Sequence, residues 1–204
     1  MVNGTSEFVN QLAIAITTIV FNRSALLFAG EDGVAAVSII MYLQFLCIGI
    51  YFGFSMGLST PLGYAYGDRN FSVCRVLEKY AYRFFAIAPI ILYGCTYLLA
   101  PIGVRFFASP GSTVFDIAVS GLRLYGLGFL FSGINIFAAI RMMTYGKGYI
   151  SGMITFLRSF ALLLLFLTIL PRFLELNGIW LAVPAAEILT LVVALWTLRK
   201  KTVA

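Results

Sequence analysis

Four ionisable side chains fall inside long apolar stretches of this sequence, where they are the residues best placed to bind or carry charge. They are Glu7, Arg123, Arg158 and Glu187. A charged group near the centre of a membrane-spanning helix costs at least about 2.5–3.5 kcal/mol, so it needs a partner or a role. Groups of this kind bind ions, relay protons or pair with one another.

Arg158 and Glu187 are predicted to reach each other. Counted from the inner ends of their predicted helices, Arg158 lies about 12 Å deep and Glu187 about 16 Å deep. The two helices are consecutive, so the guanidinium and the carboxylate can form an ion pair. The sequence leaves open whether this pair is structural or whether Glu187 takes part in ion coupling. Glu7 is likewise either a site acid or an interfacial residue with its carboxylate in water.

Five neutral amides are further candidates for lining a cavity. They are Asn10, Gln11, Asn22, Gln44 and Asn135. Hydrogen bonding between helices is the alternative role for each of them. With Glu7, Arg158 and Glu187 they make up the predicted substrate or ion pathway.

Enzyme chemistry finds little support. The absence of histidine excludes His-based triads, HExxH zinc sites and His-ligated haem. No Walker A sequence is present, and no nucleophile–base pair is evident. We therefore predict a protein that is not an enzyme and has neither a cofactor nor a metal site.

The elements that must position these side chains are membrane helices. Hydrophobic residues make up 61% of the chain and charged residues 11%, against about 25% charged in ordinary soluble domains. The apolar residues occur in long blocks, which is typical of membrane spans. The pattern predicts an all-α membrane protein, a single domain over 1–204 with six transmembrane helices at about 5–29, 34–66, 76–105, 114–144, 149–170 and 177–198.

The second predicted helix contains a glycine stripe followed by a proline. Gly49, Gly53 and Gly57 recur every four residues, so they share one helix face and permit close helix contact. Pro61 removes a backbone donor and displaces the carbonyl of Gly57 from helical bonding. The segment is therefore predicted to pack closely and kink, with a substrate path as the alternative reading.

The basic residues predict the orientation. With the C-terminus inside, nine face the cytoplasm: Arg69, Arg75, Lys79, Arg83, Arg141, Lys147, Arg199, Lys200 and Lys201. Three face outside: Arg23, Arg105 and Arg172. This asymmetry predicts that both termini are cytoplasmic, and the net charge of +6 indicates topology rather than nucleic-acid binding.

Several short segments, in order along nearly the whole chain, resemble the C-terminal half of multidrug and toxic compound extrusion (MATE) transporters. The segments are Asn3-Gly4-Thr5-Ser6-Glu7, Phe21-Asn22, Gly30-Glu31-Asp32-Gly33, Gly53-Phe54-Ser55-Met56-Gly57, Pro61, Tyr66-Gly67-Asp68-Arg69-Asn70, Arg158-Ser159, Leu170-Pro171, Asn177-Gly178-Ile179-Trp180 and Pro184-Ala185-Ala186-Glu187.

The resemblance implies one six-helix lobe, helices seven to twelve of a twelve-helix transporter in the bacterial inner membrane. It also implies alternating access, in which small, organic, cationic substrates are exchanged for Na⁺ or H⁺. The expected partners are the lipid bilayer and a second six-helix lobe. In the sodium-coupled branch of the family, carboxylates lie deeper in the seventh helix and in the tenth. Here the matching region of the first helix reads LAIAITT, with no acid, and Asn135 on the fourth helix lies near the expected place of the second carboxylate.

Three alternatives stay open. The chain is an inactive truncated lobe or an assembly subunit, a lipid-linked-oligosaccharide flippase of the same superfold, or a membrane enzyme. A flippase would favour cationic residues in the cavity, whereas a drug exporter favours acidic ones.

Overall fold

The protein is described by a computed structural model that covers the backbone of residues 2–199 and the side chains of residues 13 and 15–198. Its helices are α1 (Val2–Gly67), α2 (Phe71–Arg105), α3 (Thr113–Tyr125), α4 (Phe129–Thr144), α5 (Gly148–Phe156), α6 (Leu162–Ile169) and α7 (Pro171–Arg199). A 3₁₀ turn, Gly126–Gly128, joins α3 to α4, and a π-helical turn, Leu157–Ala161, joins α5 to α6. No strand occurs within these ranges, so the predicted all-α fold is confirmed.

Five segments of the described chain are long and apolar enough to cross a membrane: Ala15–Gly67, Phe71–Arg105, Thr113–Thr144, Gly148–Ile169 and Pro171–Leu198. Many large apolar side chains on their outer faces are exposed, including Leu27, Leu46, Tyr64, Leu98 and Tyr149. Such a surface suits lipid rather than water, because soluble proteins seldom expose large contiguous apolar patches. The chain is therefore a multi-pass membrane protein.

α1 consists of two arms that fold back on each other at Gly30. This residue has φ 60° and ψ −151°, a conformation essentially reserved for glycine. A Cβ built at Gly33 would lie 2.6 Å from the carbonyl oxygen of Ala25. Residues eight apart in a straight helix are separated by about 12 Å, so this contact requires a tight reversal. The reversal falls in the predicted turn between the first two helices.

A second break lies near the start of α7. Glu175 has φ 50° and ψ −131°, and a Cβ at Gly178 would lie 2.5 Å from the carbonyl oxygen of Leu170. Counting the two arms of α1 and the long arm of α7 after Glu175, the described residues form the predicted six-helix bundle. The assignment of all of 1–204 to one lobe stays a prediction, because its last residues lie outside the described range.

Several helix boundaries differ from those predicted. α2 begins at Phe71 rather than at residue 76, because the side chain of Asn70 accepts a hydrogen bond from the backbone N–H of Val73 at 3.3 Å. The predicted helices over 114–144 and 149–170 are each interrupted, the first by the 3₁₀ turn and the second by the π-helical turn. Hydrophobic periodicity did not reveal either interruption, since both keep the chain locally helical.

The glycine stripe is not a helix contact within the described part of the lobe, so that prediction is wrong here. Gly49, Gly53 and Gly57 are exposed, and no described atom would lie within 4 Å of a Cβ at any of them. Small residues permit close approach but do not compel it, and the buried face of this arm is formed by larger side chains such as Tyr51. Pro61 is also exposed and lies inside the second arm of α1, and its kink stays a prediction.

The core is built from aromatic side chains of several helices. Phe21 and Tyr51 of α1, Phe129 and Phe137 of α4 and Trp180 of α7 are each almost completely buried. The close glycine contact lies here: a Cβ at Gly121 would meet the ring of Trp180 at 2.8 Å. This packing holds α1, α3, α4 and α7 around one cavity.

Candidate functional site

A cavity of about 260 Å³ lies between α1, α3, α4, the π-helical turn and α7. Its polar lining comprises Thr17, Thr18, Gln44, Tyr125, Ser132, Arg158, Ser159 and Glu187. Its apolar lining comprises Phe21, Met41, Phe45, Ile48, Phe129, Leu163, Val183 and Ala186, together with Gly128. A mostly apolar cleft with a few converging polar groups is the usual form of a small-molecule site.

Arg158 and Glu187 meet at the wall of this cavity. The Nε–H of Arg158 donates to Oε1 of Glu187 at 2.6 Å. Their side chains are 15% and 5% exposed, respectively. The structure therefore forms the ion pair that the estimated depths predict, and the function of the pair stays a prediction.

Asn135 holds Glu187 from the side away from the cavity. Its Nδ2 donates to Oε2 of Glu187 at 2.7 Å and to the backbone carbonyl of the same residue at 2.9 Å. Asn135 is fully buried and does not line the cavity. Both carboxylate oxygens of Glu187 thus have partners, one on the cavity side and one behind it.

The π-helical turn carries Arg158 and Ser159. A π turn inserts an extra residue into a helix and weakens the regular bonding around it, and such turns are frequent at functional sites. The backbone carbonyl of Ser159 accepts a long hydrogen bond, 3.5 Å, from the hydroxyl of Thr17 on α1. The turn therefore faces the first arm of α1 across the cavity.

Two further polar groups complete the wall. The hydroxyl of Tyr125 donates to Oε1 of Gln44, and Nε2 of Gln44 lies 3.1 Å from the sulfur of Met41. The hydroxyl of Ser132 is buried and finds no hydrogen-bond partner within the described part of the chain. A lining residue thus carries a buried hydroxyl without a partner among the described residues.

Other predicted site residues lie elsewhere. Asn22 is half-buried beside the cavity-lining Phe21, and it is not in the lining itself. Arg123 stacks over the ring of Tyr97, 4.8 Å from its centroid, and donates to the carbonyl of that residue. The remaining three candidates, Glu7, Asn10 and Gln11, have side chains outside the described residues.

Sequence reasoning missed a second buried ion pair. Arg141, counted above only as a topology signal, is 3% exposed and donates from Nε to Glu78 at 2.5 Å. The hydroxyl of Tyr145 donates to the same carboxylate oxygen at 2.7 Å. Burial and this hydrogen bond raise the pKa of the Tyr145 phenol. The available signal was that Glu78 and Arg141 both lie near the predicted inner ends of their helices.

The cavity residues Tyr125 and Ser132 were also missed. Each is an uncharged residue in a mostly apolar helix, and nothing in its local pattern separates it from a core residue. Their place in the lining follows from how α3 and α4 are turned towards α1 and α7.

A bundle of long apolar helices around a cavity with a buried ion pair defines the class as a polytopic membrane protein. A family model described as MatE matches residues 8–170 of the sequence. That match covers well over half of the chain, so the chain belongs to the MatE family. The family predicted from the short segments is thereby confirmed.

Solved structures of similar fold agree with this assignment. An outward-facing multidrug resistance MATE family transporter of the MOP superfamily has 23% identity and a TM-score of 0.83, with 95% of this chain and 44% of that chain covered. The inward-facing conformation of a transporter described in the same words has 22% identity and a TM-score of 0.85, with 95% of this chain and 45% of that chain covered. A MOP superfamily transporter from Pyrococcus furiosus Vc1 (DSM3638), described by the reverse polarity of its binding pocket, has 22% identity and a TM-score of 0.84. The match covers 95% of this chain and 44% of that chain.

These comparisons show the fold of one lobe. The chain spans less than half the length of each of these solved transporters. A comparison with curated proteins finds no significant match.

Proposed function

We propose that this chain is the C-terminal lobe of a secondary active transporter that exports small organic cations by antiport against Na⁺ or H⁺. One observation carries the proposal: a carboxylate, Glu187, stands at the wall of a largely apolar cavity inside a lobe of MatE-family fold. A carboxylate inside a membrane protein usually marks an ion or substrate path.

The lining suits organic cations by its composition. Phe21, Phe45 and Phe129 belong to the apolar lining, and aromatic rings attract cations. Glu187 supplies the negative charge that an organic cation or a coupling cation would need once its pair with Arg158 opens. Antiport follows if both cations use this one carboxylate, because only one of them can neutralise it at a time.

Transport by alternating access requires a second six-helix lobe facing this one. The chain spans 44% of the solved outward-facing transporter, which leaves room for one lobe of similar size. The exposed stripe of Gly49, Gly53 and Gly57 offers a smooth surface for that lobe or for lipid. We place the assembly in the bacterial inner membrane on the strength of the family resemblance, and both termini in the cytoplasm on the strength of the basic-residue asymmetry.

The test is uptake of tetraethylammonium into inverted membrane vesicles under an imposed Na⁺ or H⁺ gradient, with this chain expressed beside a MATE N-terminal lobe. Uptake that depends on the gradient and is lost in Glu187→Gln is the expected result. Glu31→Gln is the matched control, because Glu31 is an exposed acid beside the Gly30 turn, away from the cavity. Equal uptake by wild type and Glu187→Gln would refute the assigned role of the carboxylate.

The same vesicles test the first alternative, and the described residues bear on the other two. An inactive lobe or assembly subunit gives no uptake with any second lobe. A lipid-linked-oligosaccharide flippase would favour a cationic cavity, but the charge of Arg158 in the described lining is balanced by Glu187. A membrane enzyme has no set of described residues to support it.

A further inference from the structure

We infer that Arg158 is a tethered counter-ion, which occupies the carboxylate of Glu187 until a cation from the cavity displaces it. This inference rests on the proposed function, since it assigns the regulation of the same cavity. It differs from a simple structural pair because the pair must open whenever the cavity takes a cation.

The two partners of Glu187 are unequal, and this inequality identifies the one that leaves. Asn135 is fully buried, bonds both the carboxylate and the backbone of Glu187, and lies outside the cavity lining. Arg158 is a lining residue, retains some exposure, and bonds Glu187 through Nε alone. A cation entering the cavity therefore meets the Arg158 side of the carboxylate, while Asn135 keeps Glu187 in place.

The backbone around Arg158 provides a way to move the guanidinium. Arg158 is the second residue of the π-helical turn Leu157–Ala161, between the regular helices α5 and α6. A π turn holds one residue more than the α-helical path, so moving the extra residue along the helix rotates the neighbouring side chains. Such a shift would carry the guanidinium away from Glu187 without unfolding either helix.

We assign Ser132 as the acceptor for the displaced guanidinium. Ser132 on α4 is a lining residue that is 1% exposed, and its buried hydroxyl has no hydrogen-bond partner among the described residues. A guanidinium carries five N–H donors, and Nε is the only one of Arg158 paired with Glu187 here. A buried hydroxyl left unpaired is unfavourable, so a state in which it accepts a bond is favoured.

Electrostatics then makes the two occupants mutually exclusive. In a poorly solvated cavity, two cations beside one carboxylate repel each other strongly, whereas either one alone is stabilised. The free lobe supplies its own cation and is electrically balanced at this site. An organic cation such as tetraethylammonium has no N–H donors. It must therefore displace Arg158 from Glu187 through its charge and its contact with the apolar lining.

Equilibrium dialysis of radiolabelled tetraethylammonium against the purified 204-residue chain in detergent tests the inference. Removing the competitor in Arg158→Gln is expected to tighten binding at least about tenfold. Glu187→Gln and the double variant should not bind. Arg123→Gln is the matched control, because Arg123 lies in a membrane-spanning helix but outside the cavity lining. The affinity of this variant for tetraethylammonium should equal that of wild type.

Affinity of Arg158→Gln equal to or weaker than that of wild type would overturn the inference. If that variant does not purify as a helical, monodisperse protein, Arg158→Lys decides. Lysine keeps the charge but lacks the Nε–H that bonds Glu187 here, so it should be displaced more easily and give intermediate affinity. Binding by Arg158→Lys no tighter than wild type would then refute the tethered counter-ion.

The result is separable from that of the vesicle test. Dialysis needs this chain alone, whereas uptake needs the second lobe. Tighter binding by Arg158→Gln without gradient-driven uptake would refute the proposed transport and leave the counter-ion standing. Uptake that requires Glu187, with unchanged affinity in Arg158→Gln, would refute the counter-ion alone.

Discussion

Replacing both members of the Arg158–Glu187 pair should destabilise the lobe less than the two single replacements together. In Arg158→Gln the carboxylate of Glu187, 5% exposed, loses its charged partner and keeps only the amide of Asn135. In Glu187→Gln the guanidinium is stranded instead, but at 15% exposure it can reach water in the cavity. Stranding the carboxylate is therefore the more costly of the two changes.

Removing one partner of a buried ion pair typically costs about 3–5 kcal/mol. We expect Arg158→Gln near the upper end of that range and Glu187→Gln near or below its lower end. The double variant strands no charge, and the amide oxygen of the glutamine that replaces Glu187 can still accept the bond from Asn135. Its loss should fall below the sum of the single losses by at least about 2 kcal/mol, within the range of direct pair couplings.

The measurement is reversible unfolding in mixed detergent–SDS micelles, followed by the loss of helical circular dichroism. Wild type, both single variants and the double variant complete the cycle. Arg123→Gln with Glu187→Gln serves as a control cycle, because Arg123 bonds Tyr97 and does not contact Glu187. Additivity of the Arg158 and Glu187 losses within about 0.5 kcal/mol would refute the argument that each charge depends on the other.

Three further outcomes are expected. Gly53→Leu should leave the unfolding free energy of the lobe within about 0.5 kcal/mol of wild type. Gly121→Leu should prevent stable folding, because even a Cβ added at this position would lie 2.8 Å from the ring of Trp180. Equal losses for the two variants in the same unfolding assay would contradict this. In a cysteine-free background, an impermeant maleimide added outside intact cells should label Glu31→Cys and miss Lys147→Cys, and the reverse pattern would overturn the topology. Glu78→Gln should cost about 3 kcal/mol by stranding its buried arginine partner, and a loss below about 1 kcal/mol in the unfolding assay would count against it.

The sequence alone determined the class of protein and one contact of the site. Long apolar blocks require membrane helices, because backbone groups in lipid must be paired within the chain. The helix rise of about 1.5 Å per residue converts position into depth, so Arg158 and Glu187 could be placed at similar depths on consecutive helices. Their ion pair at 2.6 Å needed little more than that arithmetic and the cost of a lone charge.

Only the tertiary structure decided which way each helix faces. Asn135 reaches Glu187 across a separation of 52 residues, and Glu78 reaches Arg141 across 63. The stripe containing Gly53 has helical spacing, yet it faces away from the lobe. Spacing fixes which residues share a face, but the rotation of a helix about its axis depends on the packing of all its neighbours.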